Sequence, residues 1–178
     1  MKKINIIVSI ALALLLTASI NAQVKNSVDT DIRKQVTASL TNYLMLKDAL
    51  VSSDPEAASS ASNELFTSLN AIDAAKMIAG QKVLWNKIGE DLKEDAEHIY
   101  KNKDIGHQRA HFVKLSNNMY AMVSKFKAND AETYYHYCPM KKASWLSLSK
   151  EVKNPYYGSK MLQCGSVKAT LKKVQSDS

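Results

Sequence analysis

Apolar residues recur at steps of three and four through four successive stretches of this chain, a period that helices packed along a common seam satisfy and strands do not. The fourth stretch is the clearest: Phe112, Leu115, Met119, Met122 and Phe126 step 3, 4, 3, 4, the spacing of a bundle seam. Met119 and Met122 are read as core filler on that seam. A first helix is expected from about Thr30 to Val51 on Ile32, Val36, Leu40, Tyr43, Leu44 and Leu50. Asp54-Pro55-Glu56 then supplies an N-cap, a first-position proline and an acidic first turn. The second helix carries Leu65, Leu69 and Ile72 and is expected to run to about Ala79, with Gly80 as its stop. The third covers roughly Gln81 to Lys101, with Leu84, Ile88, Leu92, Ala96 and Ile99 inward and Glu90, Asp91, Glu94, Asp95 and Glu97 toward solvent. Asp104 is placed to cap the fourth.

Composition supports helices, because the whole chain holds only five Gly and three Pro. Four helices with short links favour an up-down-up-down bundle. After Asn129 the character changes: Tyr134, Tyr135, Tyr137, Trp145, Tyr156 and Tyr157 crowd together with both cysteines. The expected fold class is therefore all-α, an up-down four-helix bundle at 23–129 followed by an irregular aromatic-rich C-terminal module at 130–178. The module is expected to pack on the bundle as part of a single domain.

The first 22 residues carry the marks of a cleaved signal peptide. Lys2 and Lys3 precede an apolar run from Ile4 to about Leu16, and a small residue, Ala22, stands before Gln23. The run is short for a membrane span, and Ser19 and Asn21 end it early. The expectation is an exported protein, most naturally periplasmic, that is not integral to the membrane once the signal is cleaved. The formal net charge is +7, and the basicity concentrates after residue 140. No Arg cluster interleaved with aromatics accompanies it, so nucleic acid is not an expected partner.

The string that carries chemistry is His136-Tyr137-Cys138-Pro139-Met140, answered by Met161-Leu162-Gln163-Cys164-Gly165. Side chains at i and i+2 of an extended Cys-Pro-Met project to one side, and Met161 and Cys164 share a face if the segment turns helically. Together the halves offer two thiolates and two thioethers, with His136 as a fifth donor. Soft sulfur donors select Cu(I) and Ag(I), whereas zinc more naturally takes Cys and His without Met. In an exported protein the same two cysteines also suit a disulfide. With 25 residues between them, that staple is worth about 3–4 kcal/mol on the chain-entropy model, and it would make a metal cofactor inessential. Both readings stand at this point.

His107 and His111 lie one turn apart on the fourth helix, a spacing that holds a metal between two imidazoles. They border the apolar stripe where a docked C-terminal module could approach them. His98, flanked by acidic residues, is read as solvated. No Cys-x-x-Cys, Gly-rich phosphate loop or His-Glu-x-x-His is present, so no enzymatic activity is expected.

The strings Tyr137-Cys138-Pro139-Met140, Trp145-Leu146-Ser147, Asn154 to Gly158 and Met161 to Gly165 together resemble an uncharacterised bacterial domain family. That domain occurs alone behind a signal peptide and fused to periplasmic adaptor (membrane fusion) subunits of copper- and silver-exporting RND-type efflux systems. Tyr43-Leu44 through Leu50, Gln108-Arg109, Phe112 and Leu115-Ser116 fit its helical part. The resemblance implies copper or silver handling through Cys138, Met140, Met161 and Cys164, with an efflux adaptor as partner. The expected function is a Cu(I)/Ag(I)-binding protein that buffers the ion or passes it on. The alternative is a disulfide-stapled protein–protein interaction domain without metal.

Overall fold

The computed structural model describes residues 30–174, and the expected signal segment at 1–22 lies outside them. Four helices come first: α1 (30–52), α2 (Pro55–Asn70), α3 (Ala79–Lys101) and α4 (Ile105–Phe126). Their apolar stripes close into one core. Ile32, Val36, Tyr43, Leu46, Leu50, Leu65, Leu69, Leu92, Ile99, Phe112, Leu115, Met119 and Met122 are all fully buried. Asp54 and Asp104 cap α2 and α4, their side chains accepting the amides of Ala57 and His107 at 3.0 and 2.7 Å. Among the described residues no helix is long and apolar enough to cross a membrane.

The second helix stops earlier than its apolar pattern suggests. It ends at Asn70, a 3-10 turn follows at Ala74–Lys76, and Gly80 falls inside the first turn of α3. Side-chain hydrogen bonds outweigh the periodic signal here. Gln35 Oε1 accepts the Asp73 amide at 2.9 Å and Asp73 caps the 3-10 turn. Gln81 Oε1 then accepts the Ile78 amide, which starts α3 one residue before the glycine.

Beyond the bundle the chain forms a three-stranded antiparallel sheet in the order β2-β1-β3, from β1 (Thr133–Cys138), β2 (Ala143–Ser147) and β3 (Ser166–Leu171). The module expected to be irregular is thus a sheet with an irregular strap, 148–165, folded over it. The crowded aromatics are the reason. Tyr134, Tyr135, His136 and Tyr137 occupy successive positions of β1, and His136 pairs with Trp145 across the strands, the kind of cross-strand contact that stabilises a sheet. One face of β1 meets α4, where Tyr135 stacks on Tyr120 at 3.9 Å between ring centres and donates to Asn117 Oδ1. On the other face His136 stacks on Trp145 at 5.2 Å. All five residues of β2 are buried, whereas all eight lysines between 141 and 173 are exposed.

Two polar anchors join sheet and bundle. Tyr43 of α1, stacked on Phe112, accepts the Leu146 amide at 3.0 Å and shares a 2.8 Å hydrogen bond with Ser116. Burial raises the pKa of its phenol far above the usual tyrosine value. Removing the hydroxyl strands a buried amide and costs about 1–3 kcal/mol. Tyr43→Phe is accordingly expected to lower the urea midpoint with an unchanged slope, and an unchanged midpoint would show that the contact does not secure the sheet. The second anchor is Arg109 of α4. Its Nε donates to the Pro155 carbonyl at 2.8 Å, and its Nη2 donates to the Leu50 carbonyl and Ser53 Oγ. One guanidinium therefore ties the strap to the end of α1.

Candidate metal centres

Cys138 ends the central strand and Cys164 ends the strap, and they meet as free thiols with their sulfurs 3.2 Å apart. Cys138 is fully buried and paired with Ala143 of β2 at the end of the strand ladder, whereas Cys164 is half-buried. The hairpin turn after β1 aims backbone amides at the pair. The Lys141 N–H donates to Cys138 Sγ at 3.4 Å. Burial works against ionisation of Cys138, yet the amides of Lys141 and Met140, the Cys164 thiol and Asn154 together hold its pKa below the ordinary thiol value. Cys164 is shifted up, first because it donates to Cys138 and then by desolvation. The pair is therefore asymmetric, with the thiol on the strand the easier of the two to ionise and the thiol on the strap the harder.

Buried Asn154 places Cys164. Its Nδ2 donates to the Cys164 carbonyl at 2.7 Å, its amide donates to the Leu162 carbonyl, and its Oδ1 accepts the Tyr156 amide. Gly165 follows with φ of +150°, where a Cβ would stand 2.8 Å from the Trp145 ring. The glycine lets the strap pass directly over the tryptophan.

The other sulfur donors lie at the rim. Met140 sits on the hairpin turn and is 66% exposed. Met161, half-buried, accepts the Cys164 amide through its carbonyl at 3.1 Å, which sets the two residues one turn apart. His136 shares a strand face with Cys138 but lies flat against Trp145, with Nε2 donating to the Ser149 carbonyl at 3.0 Å. Desolvation lowers its pKa, favouring the neutral ring, and its buried Nδ1 has no hydrogen-bond partner.

His107 and His111 belong to a different cluster. They do not face the C-terminal module, because Arg109 between them projects about 200° away around the helix and is the side chain that reaches the strap. The two imidazoles turn instead toward α3, where they meet His98. Ring centres lie 5.9 Å apart for His98–His107, 4.4 Å for His98–His111 and 4.6 Å for His107–His111. One nitrogen from each of the three falls within 4.8 Å of the others. His111 Nδ1 is 2.9 Å from Asp95 Oδ1.

Two residues expected to be merely solvated are thus part of this cluster. His98 stacks on His111, and Asp95 is only 5% exposed. Burial pushes the Asp95 carboxyl above its usual pKa, against the pull of the His111 bond. Counting outward from the short α3–α4 link would have found both. Residues equidistant from such a link face each other across an antiparallel pair: His98 and His107, Asp95 and His111, and also the ion pair of Asp91 and Lys114.

Comparison with known proteins bears on the helical part. A family model described as "Protein of unknown function (DUF3347)" matches residues 40–131, from within α1 to the loop before β1. The match takes in all three histidines and ends before both cysteines. No curated protein and no solved structure matches the chain. Because the model spans just over half of the sequence, the chain belongs to this family of uncharacterised domains, Protein of unknown function (DUF3347).

Proposed function

We propose that this protein binds a soft monovalent metal ion, Cu(I) or Ag(I), between Cys138 and Cys164, with Met140 and Met161 as weaker thioether donors. The observation that carries the reading is the hairpin amide directed at Cys138 Sγ beside a second thiol. Such N–H donors stabilise a thiolate, and thiolate with thioether is the donor set that selects these ions. Metal–thiolate bonds of about 2.3 Å span at most about 4.6 Å between two sulfurs, so an ion enters by spreading the pair. Cys138 is held by the sheet, and the strap bearing Cys164 is the part that gives. The rim position of Met140 suits first capture at the surface, and weak thioether bonds keep transfer onward feasible.

On this reading the chain is exported behind its first 22 residues, buffers the ion outside the cytoplasm and passes it to a heavy-metal efflux adaptor. The same sulfur contact also favours a second reading. Exchange with an external disulfide oxidant, which takes up the two protons and two electrons and leaves as a dithiol, would join Cys138 and Cys164 through a bond of about 2.05 Å, leaving a stapled interaction domain. Anaerobic titration of the reduced protein lacking residues 1–22 with Cu(I), against a competing chelator, separates the two when combined with a thiol count on the exported protein. Two free thiols and a one-to-one complex are expected. A fully oxidised protein that stays indifferent to Cu(I) after mild reduction would overturn the proposal.

A further inference from the structure

We infer that His98, His107 and His111 form a second metal site, free of sulfur, that takes a borderline divalent ion of the first transition row. Three observations converge on it. The three side chains come from two helices, and they bring one ring nitrogen each to within 4.8 Å of the others. On a tetrahedral ion with bonds of about 2.0–2.1 Å, imidazole nitrogens sit about 3.3 Å apart. Small rotations of one exposed and two half-buried rings close that difference without moving a helix.

The second observation is Asp95. It is buried beneath the cluster, and its Oδ1 accepts from His111 Nδ1 at 2.9 Å. A carboxylate behind a ligating histidine fixes the tautomer and makes the outward nitrogen a better donor. Asp95 Oδ2, also buried, has no hydrogen-bond partner, so the carboxylate has no competing hydrogen bond and is dedicated to that imidazole. Asp95 acts through His111 and is a positioning residue.

Third, the outer side opens on a cleft lined by Glu97, His98, Lys101, Asn102 and His107, which leaves a fourth coordination position to water. Imidazole donors suit Cu(II), Zn(II), Ni(II) and Co(II), with Cu(II) bound most tightly in the Irving–Williams order. This donor set contains none of the sulfur that selects Cu(I), and the site does not depend on the sulfur-pair proposal.

Co(II) titration of the reduced full chain is the direct test, because only thiolate coordination gives a sulfur-to-cobalt charge-transfer band. One equivalent is expected to bind without that band, and to be displaced by Zn(II). His98→Ala and His107→Ala should each weaken Co(II) by well over about tenfold, and Asp95→Asn by about 10–100-fold. His98 is exposed, so its variant should keep the helical circular dichroism of the parent. A chain with both Cys138→Ser and Cys164→Ser should bind Co(II) unchanged. Absence of binding, binding only with the charge-transfer band, or affinity indifferent to His98→Ala and His107→Ala would each overturn the site.

Discussion

Cys164→Ser is expected to weaken Cu(I) binding by more than about 100-fold, exceeding the 10–100-fold loss typical when a group that merely supports a metal ligand is removed. Two features make the loss large. On the proposed reading Cys164 supplies the second thiolate once it loses its proton, and no neighbouring thiol can take its place, since Cys138 and Cys164 are the only cysteines of the chain. Serine restores the size of the side chain but not a soft donor. Met140→Leu should cost far less, about tenfold or below, because a thioether on an exposed turn contributes a weak bond. His98→Ala belongs to the other cluster and should leave Cu(I) affinity unchanged in competition with a chelator. Equal effects of Cys164→Ser and His98→Ala would defeat the sulfur site as drawn. A pH series adds an independent check. Cys164 is the thiol shifted up, by its bond to Cys138, and it must lose its proton to ligate. Apparent Cu(I) affinity should therefore climb with pH until that thiol ionises freely, with protons released on binding.

Gly158→Ala should destabilise the folded protein by about 2–4 kcal/mol, from left-handed backbone strain together with displaced hydrogen bonds. Gly158 has φ of +57°, and a Cβ there would fall 2.4 Å from Ser53 Oγ, 2.9 Å from Arg109 Nη2 and 3.0 Å from the Val51 carbonyl. The last neighbour is backbone and cannot swing away. The methyl group would push the strap off the junction that Arg109 holds. For a chain of this size the loss corresponds to a fall in Tm of about 4–16 °C, read by thermal unfolding. Proteolysis should report the same lesion locally, with cleavage appearing first in 148–165. A variant with parental Tm and parental proteolysis would show that the strap does not depend on this close approach.

These two experiments probe parts of the molecule that were unequally legible in the chain. The seam of Phe112, Leu115, Met119, Met122 and Phe126 is buried as its spacing requires. The caps at Asp54 and Asp104 form because a short acidic side chain before a helix meets amides with no other partner. Local chemistry decides such features, and local chemistry is what a linear pattern records. The end of α2 depends on Gln35, 38 positions from Asp73, and no local pattern carries that. β3 alternates exposed and half-buried positions, a pattern its sequence carries openly, but β2, its partner across β1, is covered on both faces. A strand buried on both sides loses the apolar–polar alternation that identifies strands, and β2 is buried at every position.

By itself the sequence determined the four helices, the seam that packs them and the presence of two thiol–thioether strings, since each follows from spacing within one segment. Only the tertiary structure decided which donors meet. Antiparallel packing about a short link set His98 and Asp95 against His107 and His111. A hairpin, a buried asparagine and a strap held by Arg109 brought Cys164 to Cys138. The physical reason is common to both clusters. Periodicity fixes the face of an element on which a side chain lies, but which faces oppose one another depends on contacts between residues far apart in the chain.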